Sequence, residues 1–273
     1  GFLLSFIPHK KKVLSIWGSD VYEFPEKSYF HRLLLKFNLR RSNILTSTSN
    51  EMAKHAKLYT NKNFLIVPFG INTSRFCLTR STINRYDYSS FKSFKIGTVK
   101  SLSHKYGIDT LIYAIDYIQK FYPKIFAKLT CEIYGIGPDL EKLTNLTQKL
   151  GLSKKVIFCG HIDQKNLPYI LNKFDIFLAL SRMESFGVSV IEAQACGVPV
   201  IVSDVGGLIE VVNHNKTGLI VPHNDHQKAA EAIMSLIHKK DLGSRLAKGA
   251  RKSVEANYVF EKNVSKMIEI YEK

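Results

Sequence analysis

The strongest constraint on the fold of this chain is an alternation of short apolar runs with longer helical patterns, from about Phe94 to His238. The apolar runs predict strands at Phe94–Val99, Leu129–Tyr134, Val156–Phe158, Asp175–Leu180, Pro199–Ser203 and Gly218–Val221. The intervening stretches predict helices at Gly107–Tyr122, Pro138–Leu150, Asn166–Asn172, Gly187–Cys196, Leu208–Val212 and Gln227–His238. Because parallel strands need such crossovers, the pattern predicts a complete Rossmann-like unit with a parallel sheet covered on both faces.

The first 90 residues predict part of a second unit of the same kind. Strands are predicted at Val13–Trp17, Ile44–Ser47 and Leu65–Pro68, with a helix at Tyr29–Arg40. Three strands are fewer than the usual six of a doubly wound domain. The polar, turn-rich stretch Thr79–Ser93 predicts a linker between the two units.

Charge and cysteine usage narrow the function classes. The chain has 273 residues, and its 39 Lys and Arg against 23 Asp and Glu give a net charge of +16. This balance favours an anionic partner, which could be nucleic acid, an anionic membrane face or a phosphorylated small molecule. The four cysteines form no C-x-x-C pair, so neither a zinc site nor a disulfide framework is expected, and a reducing, cytoplasmic location is predicted. No apolar run approaches the ~20 residues of a membrane-spanning helix.

The richest motif is Ser181–Ala193, with the sequence SRMESFGVSVIEA. Glu184 follows a predicted buried strand, at the sheet edge where open α/β sheets bind ligands. Ser185–Gly187 open a helix, whose N–H groups and dipole suit a phosphate. Glu192 lies about one and a half turns further on. Two carboxylates beside a phosphate need hydroxyl partners, which indicates a sugar on one side and a ribose on the other; the alternative is two solvated surface charges.

The spacing from Glu184 to Glu192 resembles the Glu-x7-Glu signature of the group 1 (family 4) retaining glycosyltransferases, which have the two-domain GT-B fold. Further segments resemble the family in the same order: Val67–Asn72, Tyr134–Pro138, Phe158–His161, Asp204–Glu210 and Lys216–Leu219. The resemblance spans roughly Trp17 to Tyr271. It implies an α/β protein of two Rossmann-like domains, the N-terminal one incomplete.

The resemblance implies a role for each residue of the motif. Glu184 would bind hydroxyls of the transferred sugar, with the N–H groups of Phe186 and Gly187 assisting. The N–H groups near Val188 would meet the diphosphate, and Glu192 would accept hydrogen bonds from the ribose.

The family resemblance also concerns the base and the cofactors. The loop at Gly160 and His161 would lie against the base through backbone atoms. The donor is most commonly a UDP-sugar in this family. No metal and no other cofactor are expected, because cationic side chains and a helix dipole can neutralise the diphosphate.

The cations are expected in Gly97–Gly107, where the family usually has Gly-Arg-Leu followed by Lys-Gly. In a gapless alignment Ser101 falls on the Arg and Tyr106 on the Lys. Lys100 and Lys105 each lie one residue earlier, and we expect them to stabilise the leaving diphosphate because a long ammonium side chain can reach it. Two solvated loop lysines are the alternative.

In the N-terminal part, the turn at Gly18 and Asp20 resembles the family's Gly-Ser-Asp turn on the acceptor side. In the predicted helix that follows, the spacing of the residues predicts two faces. Arg32, Lys36 and Arg40 form a basic face, opposite an apolar face of Phe30, Leu33, Leu34 and Phe37. Two interpretations stay open: a helix that lies on an anionic membrane, and a core-packed helix with a solvated basic face.

The predicted domains are residues 1–90 on the acceptor side, 91–255 for the nucleotide sugar, and a C-terminal helix, 256–273, that by analogy packs back on the first domain. We expect a retaining transfer of sugar to a glycan or lipid-linked acceptor, and no nucleic-acid partner. The alternatives are a donor-binding fragment without turnover, a GT-B epimerase and a basic nucleic-acid-binding module. Since the chain starts with Gly1 and the family's first glycine-rich turn would precede it, we expect donor binding with poor transfer.

Overall fold

The structure is a computed structural model that describes Phe6 and residues 11–78, 93–239 and 241–272. Of the predicted linker Thr79–Ser93, all but Ser93 lies outside the described residues. The described chain contains two sheets, and every strand pair in them is parallel. The prediction of two α/β units with parallel sheets is therefore confirmed.

The strands and helices follow one another as the alternation predicts. The N-terminal sheet contains, in spatial order, β1 (Val13–Ile16), β2 (Ile44–Ser47) and β3 (Phe64–Ile66). The second sheet contains β4 (Phe94–Val99), β5 (Leu129–Tyr134), β6 (Val156–Gly160), β7 (Ile176–Ala179), β8 (Val200–Ser203) and β9 (Leu219–Val221). The helices are α1 (Ser19–Tyr22), α2 (Tyr29–Arg41), α3 (Asn50–Ala56), α4 (Ile108–Phe121), α5 (Pro123–Lys128), α6 (Leu140–Lys149), α7 (Leu167–Leu171), α8 (Val188–Ala195), α9 (Leu208–Val211), α10 (His226–His238), α11 (Leu242–Asn257) and α12 (Phe260–Glu272).

The second sheet has the strand order β6-β5-β4-β7-β8-β9, so the winding direction reverses between β4 and β7. These two strands pair directly, with Ile96 opposite Ile176 and Gly97 opposite Phe177. In open α/β sheets, ligands bind outside the carboxyl ends of the strands at such a switch point. The loops after β4 and β7 are therefore expected to line a binding crevice.

The core explains why the central strands read as unbroken apolar runs. All four residues of β7 and all four of β8 are buried, because helices cover both faces of a parallel sheet. One cluster of buried side chains packs on the α4 and α10 face, and a second packs on the α8 face. This double cover makes β7 and β8 a rigid base for the loops that follow them.

The C-terminal helix α12 contacts the N-terminal unit. Ile71 lies in an isolated parallel bridge with Val259, and the N–H of Ile71 donates to the carbonyl of Tyr258 over 2.8 Å. The Nζ of Lys11 donates to the carbonyl of Tyr271 over 3.0 Å. These contacts join the two ends of the described chain. The domain boundaries themselves stay a prediction.

The basic face of α2 is exposed as predicted, but the predicted apolar face was wrong in part. Phe30 and Leu33, assigned to the apolar face, are 68% and 45% exposed, whereas Leu35 and Leu39 are buried against the N-terminal sheet. Leucine and phenylalanine occur all around this helix, so its periodicity does not select one face. Packing on β1 and β2 buries Leu35 and Leu39, which lie one helical turn apart.

Two helices that frame the site escaped the sequence analysis. In α3, the side chain of Ser49 accepts from the N–H of Met52, a cap that the sequence could have indicated. In α11, Leu242, Leu246 and Val254 follow a helical spacing and are buried. Within the described ranges, no helix is both long enough and apolar enough to cross a membrane.

Candidate active site

The switch point brings Lys100 and Glu184 together. Lys100 directly follows β4, and Glu184 lies in the loop after β7. The Nζ of Lys100 forms an ion pair with Oε2 of Glu184, and the two side chains are only 9% and 11% exposed. Two residues 84 positions apart in sequence thus form a nearly buried, neutral pair at the mouth of the crevice.

Lys105 lies close to the same aromatic ring as Lys100 but pairs with a different carboxylate. The ammonium groups of Lys100 and Lys105 each lie 5.2 Å from the ring centroid of Tyr106. Lys105 Nζ also donates to Oε1 of Glu23, a residue of the N-terminal unit, over 2.8 Å. This hydrogen bond raises the pKa of Lys105. Both predicted lysines are therefore grouped around the residue that the gapless alignment sets on the family's lysine.

Glu192 occupies a very different environment from Glu184. Its side chain is 5% exposed, and its Oε1 accepts a hydrogen bond from Nε2 of Gln164 over 3.2 Å. Burial raises the pKa of Glu192 to about 7, against the opposing effects of Gln164, Lys100 and Arg75. The pKa of this buried carboxyl group is thus close to neutral pH. Its oxygens can still accept hydrogen bonds from a hydroxyl ligand.

The first turn of α8 follows the strand–loop segment that carries Glu184. Gly187 has φ 103°, and its carbonyl accepts from the N–H groups of Val190 and Ile191, which starts the helix. Val188 is 37% exposed at the first helical position. The Oγ of Ser189 is buried and has no hydrogen-bond partner among the described residues. An anion at this helix start would meet backbone N–H groups and the positive end of the helix dipole.

Phe186 packs the Glu184 motif against two other segments of the chain. Its ring is buried and makes edge contacts with Phe69 at 5.6 Å and Tyr258 at 5.8 Å between centroids. The side chain therefore packs the motif onto the segments that carry Phe69 and Tyr258. The carbonyl of the neighbouring Ser185 accepts from the Oγ of Ser49 over 2.9 Å, which ties the same motif to the N-terminal unit.

The segment after β8 fixes the backbone of Glu184. The N–H of Gly207 donates to the carbonyl of Glu184 over 2.9 Å. A Cβ on Gly206, which has φ +45°, would lie 2.0 Å from that same carbonyl oxygen. Only glycine fits such an approach, so the Gly-Gly pair acts as a support for the loop that carries the carboxylate.

The base-side residues lie where β6 ends. Gly160 is the last residue of β6 and has φ +72°, and its carbonyl accepts from the N–H of Gly135 over 2.7 Å. The side chain of His161 is 70% exposed. A 3-10 turn at Gln164–Asn166 follows and delivers Gln164 to Glu192. The structure thus brings this loop beside the buried carboxylate.

The two residues predicted on the acceptor side, Gly18 and Asp20, lie in one turn. The carboxylate of Asp20 accepts from the backbone N–H of Gly18 over 2.7 Å and of Trp17 over 3.1 Å, so it stabilises its own turn. Gly18 has φ +145°, and a Cβ there would lie 2.8 Å from the Oγ of Ser185. The turn therefore abuts the predicted donor-binding loop across the cleft.

The sequence analysis assigned no role to several residues at the site: Glu23, Asp109, Gln164, Arg182 and Glu210. Each contacts a partner far away in sequence. Arg182 and Glu210 lie in segments already singled out in the sequence, and Gln164 follows the predicted base loop, whereas no local pattern marks Glu23 or Asp109. In the described part of the chain, no cluster of three or more His, Cys, Asp or Glu side chains could hold a metal ion.

Comparisons with known proteins identify the class to which this site belongs. The sequence model of the family described as "Glycosyl transferases group 1" matches residues 87–253, and that described as "Glycosyl transferase 4-like" matches residues 4–49. The first match alone covers more than half of the chain. The protein belongs to the group 1 glycosyltransferases, as the resemblance predicted.

Two curated relatives illustrate the match. The chain is 28% identical over 263 residues to N-acetyl-alpha-D-glucosaminyl L-malate synthase of Bacillus anthracis, covering 96% of this chain and 67% of the relative. It is 32% identical over 168 residues to D-inositol 3-phosphate glycosyltransferase of Salinispora arenicola, covering 60% of this chain and 37% of that relative. The match to the second relative thus spans well under half of its length.

Two solved structures share the fold. Sucrose-phosphate synthase from Thermosynechococcus elongatus has a TM-score of 0.81 at 24% identity, with 95% of this chain and 67% of that chain covered. HepE from Anabaena, solved with UDP and glucose, has a TM-score of 0.84 at 20% identity, with 98% and 73% covered. At these identities the likeness concerns the fold, and it confirms the predicted GT-B architecture.

Proposed function

We propose that this protein transfers a sugar from a nucleoside diphosphate sugar to a glycan or lipid-linked acceptor, with retention of the anomeric configuration. The observation that carries the proposal is the arrangement at the switch point. A nearly buried Lys100–Glu184 pair, the start of α8 and the buried Glu192 follow one another along the loop after β7 and the helix α8. A donor with a sugar at one end, a diphosphate in the middle and a ribose at the other matches that order.

The two lysines have different roles in this proposal. Lys100 is held by Glu184 in a nearly buried pair, so it orients the carboxylate that binds the sugar. Lys105 pairs with Glu23 across the cleft, and both side chains are more than 40% exposed. A surface pair of this kind is weak and can be exchanged. We propose that Lys105 leaves Glu23 for the diphosphate and stabilises its developing charge in the transition state.

Glu192 would accept hydrogen bonds from the ribose hydroxyls. A buried acid with a pKa of about 7 is only partly ionised at neutral pH. Two donating hydroxyls favour its charged form, so donor binding and ionisation support each other. Gln164 already donates to one oxygen and thereby holds the carboxylate in place.

Neutralisation of the diphosphate is assigned here to Lys105 and the α8 terminus, so metal-independent transfer stays a prediction of the proposal. A UDP-sugar is the first donor to test. Equal transfer rates in excess EDTA and in added Mg²⁺ are the expected result. A rate that requires added Mg²⁺ would contradict the assignment of charge neutralisation to these groups.

The outer face of α2 supports a further part of the proposal, a peripheral contact with an anionic membrane. Tyr29, Phe30 and Leu33 are 75%, 68% and 45% exposed, and Arg32 and Lys36 lie beside them. Exposed aromatic and basic side chains on one helix suit the interface of an anionic bilayer. A lipid-linked acceptor would be reached there. None of the four cysteines, which all lie in the described ranges, forms a disulfide, and this supports a cytoplasmic location.

The direct test uses proton NMR of the product formed from UDP-sugars of known anomeric configuration. Retained configuration supports the proposal, and an inverted product would overturn the retaining mechanism. Glu184→Gln should reduce transfer strongly while it leaves UDP affinity within about twofold, because the carboxylate contacts the sugar. Transfer by this variant at the wild-type rate would remove Glu184 from the mechanism.

Donor binding without turnover is the second candidate function. Its support is that the residues proposed to bind the nucleotide, Glu192 and the start of α8, lie in the second unit. Calorimetry with UDP and GDP, combined with the transfer assay, separates the two candidates. Tight nucleotide binding with no transfer to any acceptor tested favours the second one.

A further inference from the structure

Arg182 forms a three-way contact beside the proposed site. Its Nη1 and Nη2 donate to Oδ1 and Oδ2 of Asp109, each over 2.8 Å. Its Nη1 also donates to the carbonyl of His104 over 2.6 Å. The side chains of Arg182 and Asp109 are 19% and 25% exposed. Such a bidentate, partly buried pair restricts geometry far more than a single surface contact does.

Backbone hydrogen bonds also join the segment of Arg182 to the loop after β4. The N–H groups of Arg182 and Met183 both donate to the carbonyl of Lys105, over 2.7 and 3.2 Å. The loop after β7 therefore contacts the loop after β4 through both side chain and main chain. Asp109 lies in the first turn of α4, which is a long and largely buried helix. The contact ties both loops to a rigid element.

The position of this contact has consequences for the charged groups. Lys100 begins the loop after β4, and Lys105 lies near its end, next to the carbonyl of His104 that Arg182 binds. Glu184 lies two residues beyond Arg182. One guanidinium thus sets the distance between the loop that carries both cations and the loop that carries the sugar-binding carboxylate.

Asp109 is held as an ionised partner. Its burial acts to raise the pKa, but the hydrogen bonds and charge of Arg182 outweigh that effect and lower the pKa below its usual value. The pair is therefore charged throughout the neutral range. It also lies at the positive end of the α4 dipole, where a carboxylate is favoured.

We propose that Arg182 is a positioning residue, which clamps the Lys100–Lys105 loop to the Glu184 loop and thereby sets where Lys105 meets the diphosphate. This inference rests on the proposed function. Arg182 acts through Lys105 and Glu184 and needs no contact with the donor. Its loss should weaken recognition of the diphosphate while recognition of the nucleoside, which depends on Glu192, is kept.

The test compares Arg182→Gln with Arg245→Gln, a control on exposed Arg245, whose side chain binds one loop carbonyl at a distant site. Calorimetry of the full chain with UDP and with uridine gives the affinity ratio that reports the diphosphate. In Arg182→Gln we expect the ratio to fall about fivefold to tenfold, uridine affinity to stay within about twofold, and kcat to fall at least as much as the ratio. The control should change neither.

Further variants separate positioning from simple stability. Arg182→Lys keeps the positive charge but lacks the two guanidinium nitrogens that bind Asp109. Its ratio of UDP affinity to uridine affinity should therefore lie between those of Arg182→Gln and wild type. Asp109→Asn should match Arg182→Gln, and the double variant should be no worse than either single one, since both remove the same contact. Equal losses of uridine and UDP affinity, or a ratio unchanged from wild type in a folded variant, would overturn the clamp. If wild type binds neither UDP nor GDP, the proposed function fails first and the clamp with it.

Discussion

At the scale of single residues, Glu184 and Glu192 carry the same chemical group in opposite settings. Glu184 is compensated by the adjacent ammonium of Lys100, whereas Glu192 receives a hydrogen bond from the neutral amide of Gln164. A buried carboxyl that forms no direct ion pair lowers the stability of the fold when it is ionised. Such a residue is best explained by a ligand that supplies the missing donors.

Glu192→Ala should weaken binding of uridine and UDP by a similar factor, because both contain the ribose. A hydrogen bond to a charged group contributes about 1–3 kcal/mol, which sets the expected loss. Glu231→Ala, on an exposed ion pair of α10, is the matched control. Calorimetry that finds unchanged affinity for both ligands would contradict the ribose assignment.

Glu192→Gln should make the unliganded protein more stable at pH 8 than wild type. The pKa in the folded state is raised from 4.5 to about 7, so the folded chain holds this proton while the unfolded chain has lost it. Wild-type stability therefore falls as pH rises from about 4.5 to 7, by up to ~3 kcal/mol. Glutamine does not titrate, so urea unfolding at pH 5 and pH 8 should show a smaller difference for the variant. A difference as large as in wild type would rule out this titration.

At the scale of elements, α9 and α3 connect the two units. The carboxylate of Glu210 accepts from the N–H of Glu51 over 2.6 Å and from the N–H of Asn50 over 2.9 Å, at the start of α3. Ser49, which caps α3, also donates to the carbonyl of Ser185 in the donor motif. The start of one short helix is thus satisfied by a residue of the other unit, and the closed cleft is stabilised as a result.

Glu210→Ala should loosen α3 and the cleft together. Loss of a cap costs about 1 kcal/mol, so the amides of α3 should exchange with deuterium about fivefold faster. Uridine affinity should stay the same, because Glu192 lies on another element. Glu141→Ala, an exposed first-turn acid of α6, serves as the control. Unchanged exchange in α3 would mean that Glu210 does not hold the two units together.

At the scale of the whole molecule, a net charge of +16 and the exposed face of α2 act in the same direction. The charge attracts the protein to any anionic surface, and the apolar side chains of α2 can then enter the interface. Neither feature alone distinguishes a membrane from other anions. The combination makes a specific and testable prediction.

Vesicles of mixed phosphatidylserine and phosphatidylcholine should retain the protein in a flotation assay, and pure phosphatidylcholine should not. Phe30→Ser with Leu33→Ser should reduce retention at least severalfold, because it removes apolar burial. Phe121→Ser on α4 is the matched control, since Phe121 is 61% exposed and Phe30 is 68% exposed. Equal losses in both variants would indicate a nonspecific effect of exposed aromatic residues.

The sequence by itself determined the strand positions to within about two residues, most of the long helices and the Glu-x7-Glu unit, because these depend on residues close together in the chain. Phe94–Val99, Leu129–Tyr134 and Ile44–Ser47 are strands with the predicted ends. Glu184 and Glu192 lie on one strand–loop–helix unit, only eight residues apart in the chain, so the local sequence is enough to place them on neighbouring elements. A local pattern is sufficient for features of this kind.

The tertiary structure alone decided the charge partners. Lys100 meets Glu184, Lys105 meets Glu23 and Arg182 meets Asp109 across 84, 82 and 73 residues. These are polar loop residues without periodicity. The sequence does not show whether Lys100 pairs with Glu184 or with Glu23, since the two carboxylates are chemically alike. Their pairing depends on which strands become neighbours at the switch point and on how the two units close. That information arises only when the sheets assemble, because loops at a sheet edge take their positions from the strands beneath them.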